Sequence, residues 1–222
     1  MSIIMFTNTK GGTGKTTSAF LVAEGLVENN SVAFLDCDRN RHLSKWQERR
    51  GGEGPFMIVE ADNQNEDEAF NQLTELEKAY DVVIVDMEGI KSQIIYLMLQ
   101  LAHLAIIPLR PSAMEIAMTA DTTQIIHKCS QAARRSIPYR VLLNRLSGAI
   151  VTKAEKALRA ELRADSIPVL ENGLLARESY AEIFATGKTL AELAEDGKRS
   201  HHNALANARA VSTEIAKLIK EL

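Results

Sequence analysis

Short apolar runs alternate along the chain with longer segments in which apolar residues recur at helical spacing, as at Ala19, Val22, Ala23 and Leu26. Continuous apolar runs are typical of strands that are covered on both faces of a parallel sheet. The alternation therefore predicts an α/β fold, a doubly wound and mostly parallel sheet with helices on both faces. The predicted strands are IIMF (3–6), VAFLD (32–36), FMIVE (56–60), VVIVD (82–86), LAIIP (104–108) and YRVLLN (139–144).

This pattern continues to the C-terminus without a long linker or an internal repeat, so we expect a single domain over residues 1–222. The last stretch, residues 203–222, is predicted to be an amphipathic helix with Leu205, Val211, Ile215, Leu218 and Leu222 on one side. Its polar face carries both signs of charge and no aromatic anchor. Docking onto the domain's own core is therefore favoured over binding to a membrane surface.

Composition adds few constraints. The 222 residues are 45% hydrophobic with a formal net charge of −3, and the two cysteines fit neither a disulfide framework nor a metal motif. We expect a reduced, cytoplasmic protein with no membrane partner. Charge is uneven, however: Glu53–Glu88 holds eleven acidic residues and one lysine, whereas Lys128–Arg163 holds nine basic residues and two acidic ones. A polyanion partner for the basic part and two solvated helix faces are both compatible with this asymmetry.

The segment TNTKGGTGKTT (7–17) joins the first predicted strand to the first predicted helix. Closely spaced glycines allow backbone N–H groups to surround a phosphate at a helix N-terminus, although the first glycine of the usual G-x-x-x-x-G-K-[ST] pattern would fall on Thr9. Lys15 would neutralise the β- and γ-phosphates, and the Thr16 hydroxyl would bind Mg²⁺. This predicts a P-loop NTPase, with a ligand-free glycine turn as the alternative. The predicted phosphate contacts are Gly11, Gly12, Thr13, Gly14, Lys15, Thr16 and Thr17.

The string KGGTGKTT resembles the deviant Walker A motif of the ParA/MinD ATPases, with Lys10 in the place of their signature lysine. In that family the lysine reaches across a dimer interface to the nucleotide of the other subunit. The resemblance implies ATP and Mg²⁺ as cofactors, a homodimer when ATP is bound, and catalytic roles for Lys10 and Lys15. From the residues alone, Lys10 could stabilise charge at the rim of the site or be a solvated loop lysine.

Acidic residues follow two of the predicted strands. Asp36 and Asp38 end the second strand, and Asp86 ends the fourth. Ligands of open α/β sheets bind at the carboxyl ends of strands, although a lone aspartate there can also be a turn or cap residue. The resemblance assigns Asp36 and Asp86 to magnesium, together with Thr16, and assigns Asp38 to positioning the attacking water.

The residues after these carboxylates depart from the family pattern. Arg39 and Asn40 stand where ParA proteins commonly have proline and glutamine, and Met87 and Glu88 follow Asp86. Gly89 is expected to give backbone flexibility near the γ-phosphate.

Base recognition is inferred from the resemblance, which places an asparagine and a proline-containing segment beside the adenine. Asn144, at the end of the last predicted strand, and Pro111, in PLRPS (108–112), occupy the corresponding places. A side-chain amide can match the donor and acceptor edge of a purine. Capping of the next helix is the alternative for Asn144.

A helix after Thr152 carries a basic stripe of Lys156, Arg159 and Arg163. Thr152 and Glu155 form an S/T-x-x-E sequence, which predicts a capping box. Such a stripe suits sequence-independent contact with the phosphates of double-stranded DNA. The resemblance is to the short ParA class of DNA partition ATPases. It implies an ATP-bound dimer associated with the nucleoid and a ParB-like adaptor that stimulates weak hydrolysis.

Two other functional classes remain open. One is a ParA/MinD-like positioning ATPase for a protein cargo or a cell-division regulator, and the other is a metabolic enzyme or electron carrier with the same fold. Cys37 and Cys129 are poorly placed to bridge an iron–sulfur cluster. The segment ARESYAEIFATGKTL (176–190) is either a partner contact or a core helix ended by Gly187. Most of the five histidines are expected at the surface, and Trp46 is expected to pack in the core.

Overall fold

The computed structural model describes residues 1–61, 65–88 and 94–222. Each predicted strand is present, with ends that differ from the prediction by one residue. Gly89, which the sequence placed near the γ-phosphate, lies outside the described residues. The strands are β1 (Ser2–Phe6), β2 (Val32–Cys37), β3 (Met57–Glu60), β4 (Val82–Met87), β5 (Leu104–Leu109) and β6 (Tyr139–Leu143). The helices are α1 (Lys15–Leu26), α2 (His42–Arg49), α3 (Glu66–Ala79), α4 (Ile94–Leu101), α5 (Ala113–Ala132), α6 (Lys153–Ala164), α7 (Ser179–Thr186), α8 (Leu190–Ala194) and α9 (Arg199–Lys220).

The described strands form one parallel sheet in the order β3-β2-β4-β1-β5-β6. Alternate residues of a strand face opposite sides, so each apolar run contributes to two cores. In β1, Ile4 and Phe6 pack into the core with α1 and α9, whereas Ile3 and Met5 pack into the core with α3 and α4. The predicted doubly wound α/β fold is confirmed, because helices cover both faces of the sheet.

The sheet register brings two predicted acidic residues together. Asp36 of β2 lies opposite Asp86 of β4, and Asp86 also lies opposite Phe6, the last residue of β1. The phosphate loop continues directly from Phe6 into α1. The carboxyl ends of β1, β2 and β4 therefore meet at a single edge, which positions the candidate site.

The C-terminal helix α9 docks on α1, as the sequence predicted. Val211 and Ile215 are fully buried, while Leu222 follows the helix and is 62% exposed, so the buried side ends before it. The approach is close at Gly25, where an added Cβ would come within 1.9 Å of Ser212 Oγ. Within the described residues, no helix is both long and apolar enough to cross a bilayer.

The segment 176–190, for which the sequence left a partner contact and a core helix open, contains the core helix α7. Tyr180 and Ile183 are buried, and Gly187 ends α7 with a φ of 72°. Trp46 is also buried, and its indole N–H donates to the carbonyl oxygen of Lys188 at 3.1 Å. His201 is an exception to the expected surface histidines. Its ring is buried against Glu182 of α7 and the end of α8, with both ring nitrogens about 3 Å from acceptor oxygens.

Candidate nucleotide site

The phosphate loop depends on glycine at two positions. Gly12 and Gly14 have φ values of +74° and +96°, in the region that side chains disfavour. Gly14 is the N-cap of α1, and a Cβ there would lie 2.9 Å from the side-chain nitrogen of Asn144. Both backbone conformation and packing therefore require glycine at position 14, and the N-terminus of α1 is left accessible from the loop.

The start of the loop is fixed by Asn8, a fully buried residue whose role is not evident from the sequence pattern. Its Nδ2 donates to the carbonyl oxygen of Pro108 at 2.8 Å, and its Oδ1 accepts from the backbone N–H of Lys10 at 2.9 Å. The N–H of Thr9 donates to Thr122 Oγ1 at 3.3 Å. The backbone that carries Lys10 is thus anchored to β5 and α5.

The two lysines of the loop lie in different environments. Lys15 is 7% exposed, and its ammonium donates to the carbonyl oxygen of Lys10 at 3.2 Å. Burial lowers the pKa of Lys15, while the nearby carboxylates of Asp86, Asp38 and Glu88 act in the opposite direction. Lys10 itself is half-buried. The loop therefore provides one buried cation facing the acidic strand ends and a second lysine nearer its rim.

Asp36 and Asp86 are buried with several oxygen atoms unsatisfied. Asp36 Oδ1 accepts from the backbone N–H of Asp38 at 3.0 Å, but among the described residues Asp36 Oδ2 and both carboxylate oxygens of Asp86 have no hydrogen-bond partner. Burial raises the pKa of Asp36 to about 6 and that of Asp86 to about 8. The Thr16 hydroxyl counteracts the rise at Asp86, although it does not reach hydrogen-bond geometry with either oxygen.

These oxygens fit a hard divalent cation. Unsatisfied buried oxygens are rare and call for an ion or another partner. In the part of the chain that the structure describes, no three His, Cys, Asp or Glu side chains form a metal cluster. Mg²⁺ commonly binds through one or two carboxylates together with waters and substrate phosphates. Asp36, Asp86 and Thr16 match that incomplete donor set.

Asp38 is held by one of the residues that departs from the family pattern. Its Oδ1 accepts from the backbone N–H of Asn40 at 2.9 Å and from the Asn40 side chain at 2.8 Å. The neighbouring Arg39 forms an exposed ion pair with Glu88 at 3.4 Å, joining the ends of β2 and β4. The substitutions therefore preserve an oriented carboxylate at position 38.

A cavity of about 580 Å³ lies between the start of α1 and the chain around Leu174–Ala181. Asn144 lines this cavity from behind the loop, where its Nδ2 donates to the carbonyl oxygen of Thr13 at 3.0 Å and to Ser18 Oγ at 2.8 Å. Its Oδ1 is buried and has no hydrogen-bond partner within residues 1–61, 65–88 and 94–222. The amide N–H groups thus brace the phosphate loop.

The placement of Pro111 beside the adenine stays a prediction. Among the described residues, the cavity wall does not include Pro111 and is formed instead by Leu174, Leu175, Ala176 and Arg177. This segment runs beside Leu146, whose N–H donates to the carbonyl oxygen of Leu174 at 3.0 Å. The sequence offers little sign that Leu174–Arg177 forms a cavity wall, because this segment reaches the phosphate loop only through tertiary contacts.

The basic stripe on α6 is partly neutralised. Thr152 Oγ1 accepts from the N–H of Glu155 at 3.1 Å, which is one half of the predicted capping box. The Glu155 carboxylate does not complete the box, since it accepts from Arg159 Nε at 2.9 Å. Lys156 and Arg163 are exposed. The stripe therefore presents two exposed cations and a third whose charge is paired within the helix.

Comparison with known proteins gives matches along the whole chain. The VirC1 protein family model matches residues 1–222. Protein ParA of Rhizobium radiobacter is 29% identical over 222 residues, covering 100% of this chain and 99% of that protein. Maintenance of carboxysome distribution protein A of Gloeobacter kilaueensis is 27% identical over 221 residues, covering 99% and 93%.

Solved structures show the same architecture. The structure of a variant of Cyanothece McdA in complex with ATP superposes with a TM-score of 0.78 at 16% identity, covering 97% of this chain and 96% of that one. The MinD cell division protein of Aquifex aeolicus gives a TM-score of 0.67 at 18% identity, covering 95% and 97%. At these identities the likeness concerns the fold.

Proposed function

Because the chain belongs to the VirC1 protein family, within the ParA/MinD-type positioning ATPases, we propose that it is an ATP-dependent DNA partition ATPase. ATP and Mg²⁺ drive formation of a homodimer, and the dimer binds double-stranded DNA without sequence preference. A ParB-like adaptor stimulates weak hydrolysis and so releases the protein from DNA. The observation that carries the ATP- and Mg²⁺-dependent part of this proposal is the set of buried carboxylate oxygens of Asp36 and Asp86 that lack a partner among the described residues, beside the buried cation of Lys15.

We assign the hydrolytic roles to the residues of this site. The backbone of Gly11–Thr17 and the Lys15 ammonium bind the phosphates and offset their negative charge. Asp36, Asp86 and Thr16 would hold Mg²⁺, which when bound supplies further neutralisation of the β- and γ-phosphates. Asp38, oriented by Asn40, accepts a hydrogen bond from the water that attacks the γ-phosphorus. The bond from that phosphorus to the bridging oxygen breaks, giving ADP and phosphate.

Lys10 is assigned to the nucleotide of the second subunit. Its backbone is anchored through Asn8 to β5, and its side chain is not buried with Lys15. A second cation at the rim of each phosphate site can offset charge that would otherwise oppose the approach of two triphosphates. Dimerisation is therefore expected to depend on both ATP and Lys10.

The cavity is assigned to the base and sugar of ATP. Asn144 lines the cavity, and its buried Oδ1 is an acceptor without a partner among the described residues, which suits the exocyclic amino group of adenine. Tyr180 and Phe184 also line the cavity and give it apolar surface. The apolar lining with a few polar groups is the usual character of a small-molecule site.

A positioning ATPase for a protein cargo is the second candidate. It is favoured by the 27% identical carboxysome-distribution relative, which covers 99% of the chain. A cell-division regulator belongs to the same alternative. Both versions share the ATP-dependent dimer, and they differ in what the adaptor carries.

Nucleotide-dependent DNA binding tests the main proposal. Fluorescence anisotropy with a random-sequence duplex should show binding with ATP and Mg²⁺ and little binding with ADP. Each phosphate contact contributes about 0.9 to the slope of log K against log salt concentration. The triple variant Lys156→Ala, Arg159→Ala, Arg163→Ala should reduce the magnitude of this negative slope by roughly 2–3. Absence of DNA binding by the unmodified protein in every nucleotide state would refute the DNA function.

A further inference from the structure

We propose that a basic groove between the end of α5 and the start of β6 is a second contact surface for the phosphates of duplex DNA. The inference rests on the proposed DNA-binding function and extends it beyond the α6 stripe. We call this feature the α5–β6 groove. It is lined in part by His127, Ser130, Arg135, Tyr139, Arg140 and Pro168.

The first observation is the absence of acidic residues from the sequence that forms the groove. No Asp or Glu occurs from residue 122 to residue 154, a stretch with six lysine and arginine residues. Lys128 and Arg134 are exposed on the same stretch, beside the lining residues Arg135 and Arg140. A solvated helix face of a protein with a net charge of −3 ordinarily carries both signs of charge. The one-sided composition indicates an anionic partner.

The second observation is that two of these cations, Arg135 and Arg140, line a concave surface, while the exposed Lys128 and Arg134 directly adjoin lining residues in the sequence. The groove has a volume of about 690 Å³, and none of the described residues that line it is acidic. In the part of the chain that the structure describes, no ion pair involves Lys128, Arg134 or Arg140. Arg159 of the α6 stripe differs in this respect, since it is already paired with Glu155.

The walls of the groove are held in place. The guanidinium of Arg135 donates to the carbonyl oxygens of Gln100 at 2.9 Å and Ala102 at 2.6 Å, at the C-terminal end of α4. The rings of His127 and Tyr139 pack edge to face, with centroids 6.0 Å apart. Ser130 Oγ accepts from the N–H of Ile137 at 3.2 Å. A surface whose side chains are already ordered loses less entropy when it binds.

The position of the groove is compatible with simultaneous ATP binding. The groove includes Tyr139, the first residue of β6, so it lies at the amino edge of the parallel sheet. The phosphate loop follows the carboxyl end of β1 and therefore lies at the opposite edge. The α6 stripe leads towards the groove, because the last turn of α6 carries Arg163 and the chain then continues to Pro168 in the groove wall. Asp165, at the C-cap of α6, is the acidic residue nearest to this path in the sequence.

A charge-neutral variant of the groove provides the test. Lys128→Gln, Arg134→Gln and Arg140→Gln are combined in the full chain, while Arg135 is kept because it binds the end of α4. The matched control replaces three exposed lysines on other elements, Lys45, Lys78 and Lys220, with glutamine. Binding to a random-sequence duplex is measured with ATP and Mg²⁺ over a salt series. The slope of log K against log salt is negative. We expect the groove variant to reduce its magnitude by roughly 2–3, and the control to reduce it by less than about 1.

The ATP-induced rise in melting temperature is measured for each variant, and it should be unchanged because no substituted residue lies at the nucleotide site. If the unmodified protein binds DNA and the groove variant has the slope of the control, the groove inference is wrong while the proposed function stands. The same result is expected of a groove that serves an acidic protein. If the unmodified protein does not bind DNA, the proposed function fails first. If the triple groove variant loses the ATP-induced rise in melting temperature, the three substitutions are tested one at a time. Each single substitution should then reduce the magnitude of the salt slope by about 0.9.

Discussion

Replacement of Asp86 by asparagine should stabilise the nucleotide-free protein and abolish its response to Mg²⁺–ATP. The Asp86 side chain is fully buried, and neither carboxylate oxygen has a hydrogen-bond partner in the part of the chain that the structure describes. An uncompensated charge in a protein interior costs several kcal/mol, of which the nearby Lys15 cation offsets a part. Asparagine has nearly the same shape and carries no charge, so it removes this cost without opening a cavity.

Two effects reduce the gain in stability expected from Asp86→Asn. The raised pKa of Asp86, about 8, limits the gain because the carboxyl can take up a proton. The buried asparagine amide also leaves polar atoms unsatisfied, at about 1–3 kcal/mol. We therefore expect a net gain of about 2 kcal/mol, which corresponds to roughly 4–8 °C in melting temperature for a chain of this size.

Thermal unfolding with and without ligand is the assay. The unmodified protein should gain about 2.7 kcal/mol at an ATP concentration of 100 times Kd, and Mg²⁺ should increase that gain. The Asp86→Asn variant should begin from a higher melting temperature and show no increment on addition of Mg²⁺. The exposed Asp121→Asn substitution on α5 is the control and should change neither value. A variant that is less stable than the unmodified protein, or that keeps the Mg²⁺ increment, would refute the assignment of Asp86.

Two further predictions concern stability and the loop. Arg50 forms a two-point ion pair with Glu192 at 2.6 and 2.5 Å and lowers the Glu192 pKa to about 2, so this contribution is present above about pH 4.5 and is lost as the pH falls towards 2. Glu192→Gln should flatten that acid limb in chemical denaturation, whereas the exposed Glu195→Gln should not; an unchanged limb contradicts the role of the pair. Gly14→Ala should weaken ATP binding at least 10-fold by calorimetry, because its Cβ would lie 2.9 Å from Asn144 Nδ2 at a φ of +96°. Retention of wild-type affinity contradicts the packing argument.

The sheet was predictable because its strands are covered on both faces. Runs such as VVIVD (82–86) are apolar up to their final aspartate, and the structure buries every residue of β4. Parallel strands place their carboxyl ends at one edge, so the strand pattern puts Asp36 and Asp86 at the same edge. That the two lie opposite each other depends on β2 and β4 being neighbours in the sheet, which the pattern does not give. Periodicity was equally informative for α9, whose apolar side contacts α1.

The parts that the sequence did not reveal depend on tertiary contacts. Asn8 acts through Pro108, a hundred residues away, and nothing around Asn8 indicates that distant acceptor. The cavity wall at Leu174–Arg177 is placed by pairing with Leu146. Glu155 was expected to complete a capping box, but Arg159 competes for its carboxylate with a charge-assisted hydrogen bond. Local rules identify the residues, and long-range packing decides which partner each one takes.

The central claim is that two copies of the chain bind ATP between them and that Lys10 contributes to the partner's site. Sedimentation-velocity ultracentrifugation with Mg²⁺ and a non-hydrolysable ATP analogue tests it most directly, with the unmodified protein, Lys10→Ala and the control Lys45→Ala side by side. The account predicts dimers for the unmodified protein and for Lys45→Ala, and monomers that still bind the analogue for Lys10→Ala. An unmodified protein that stays monomeric when saturated with the analogue would contradict it, and so would a fully dimeric Lys10→Ala variant.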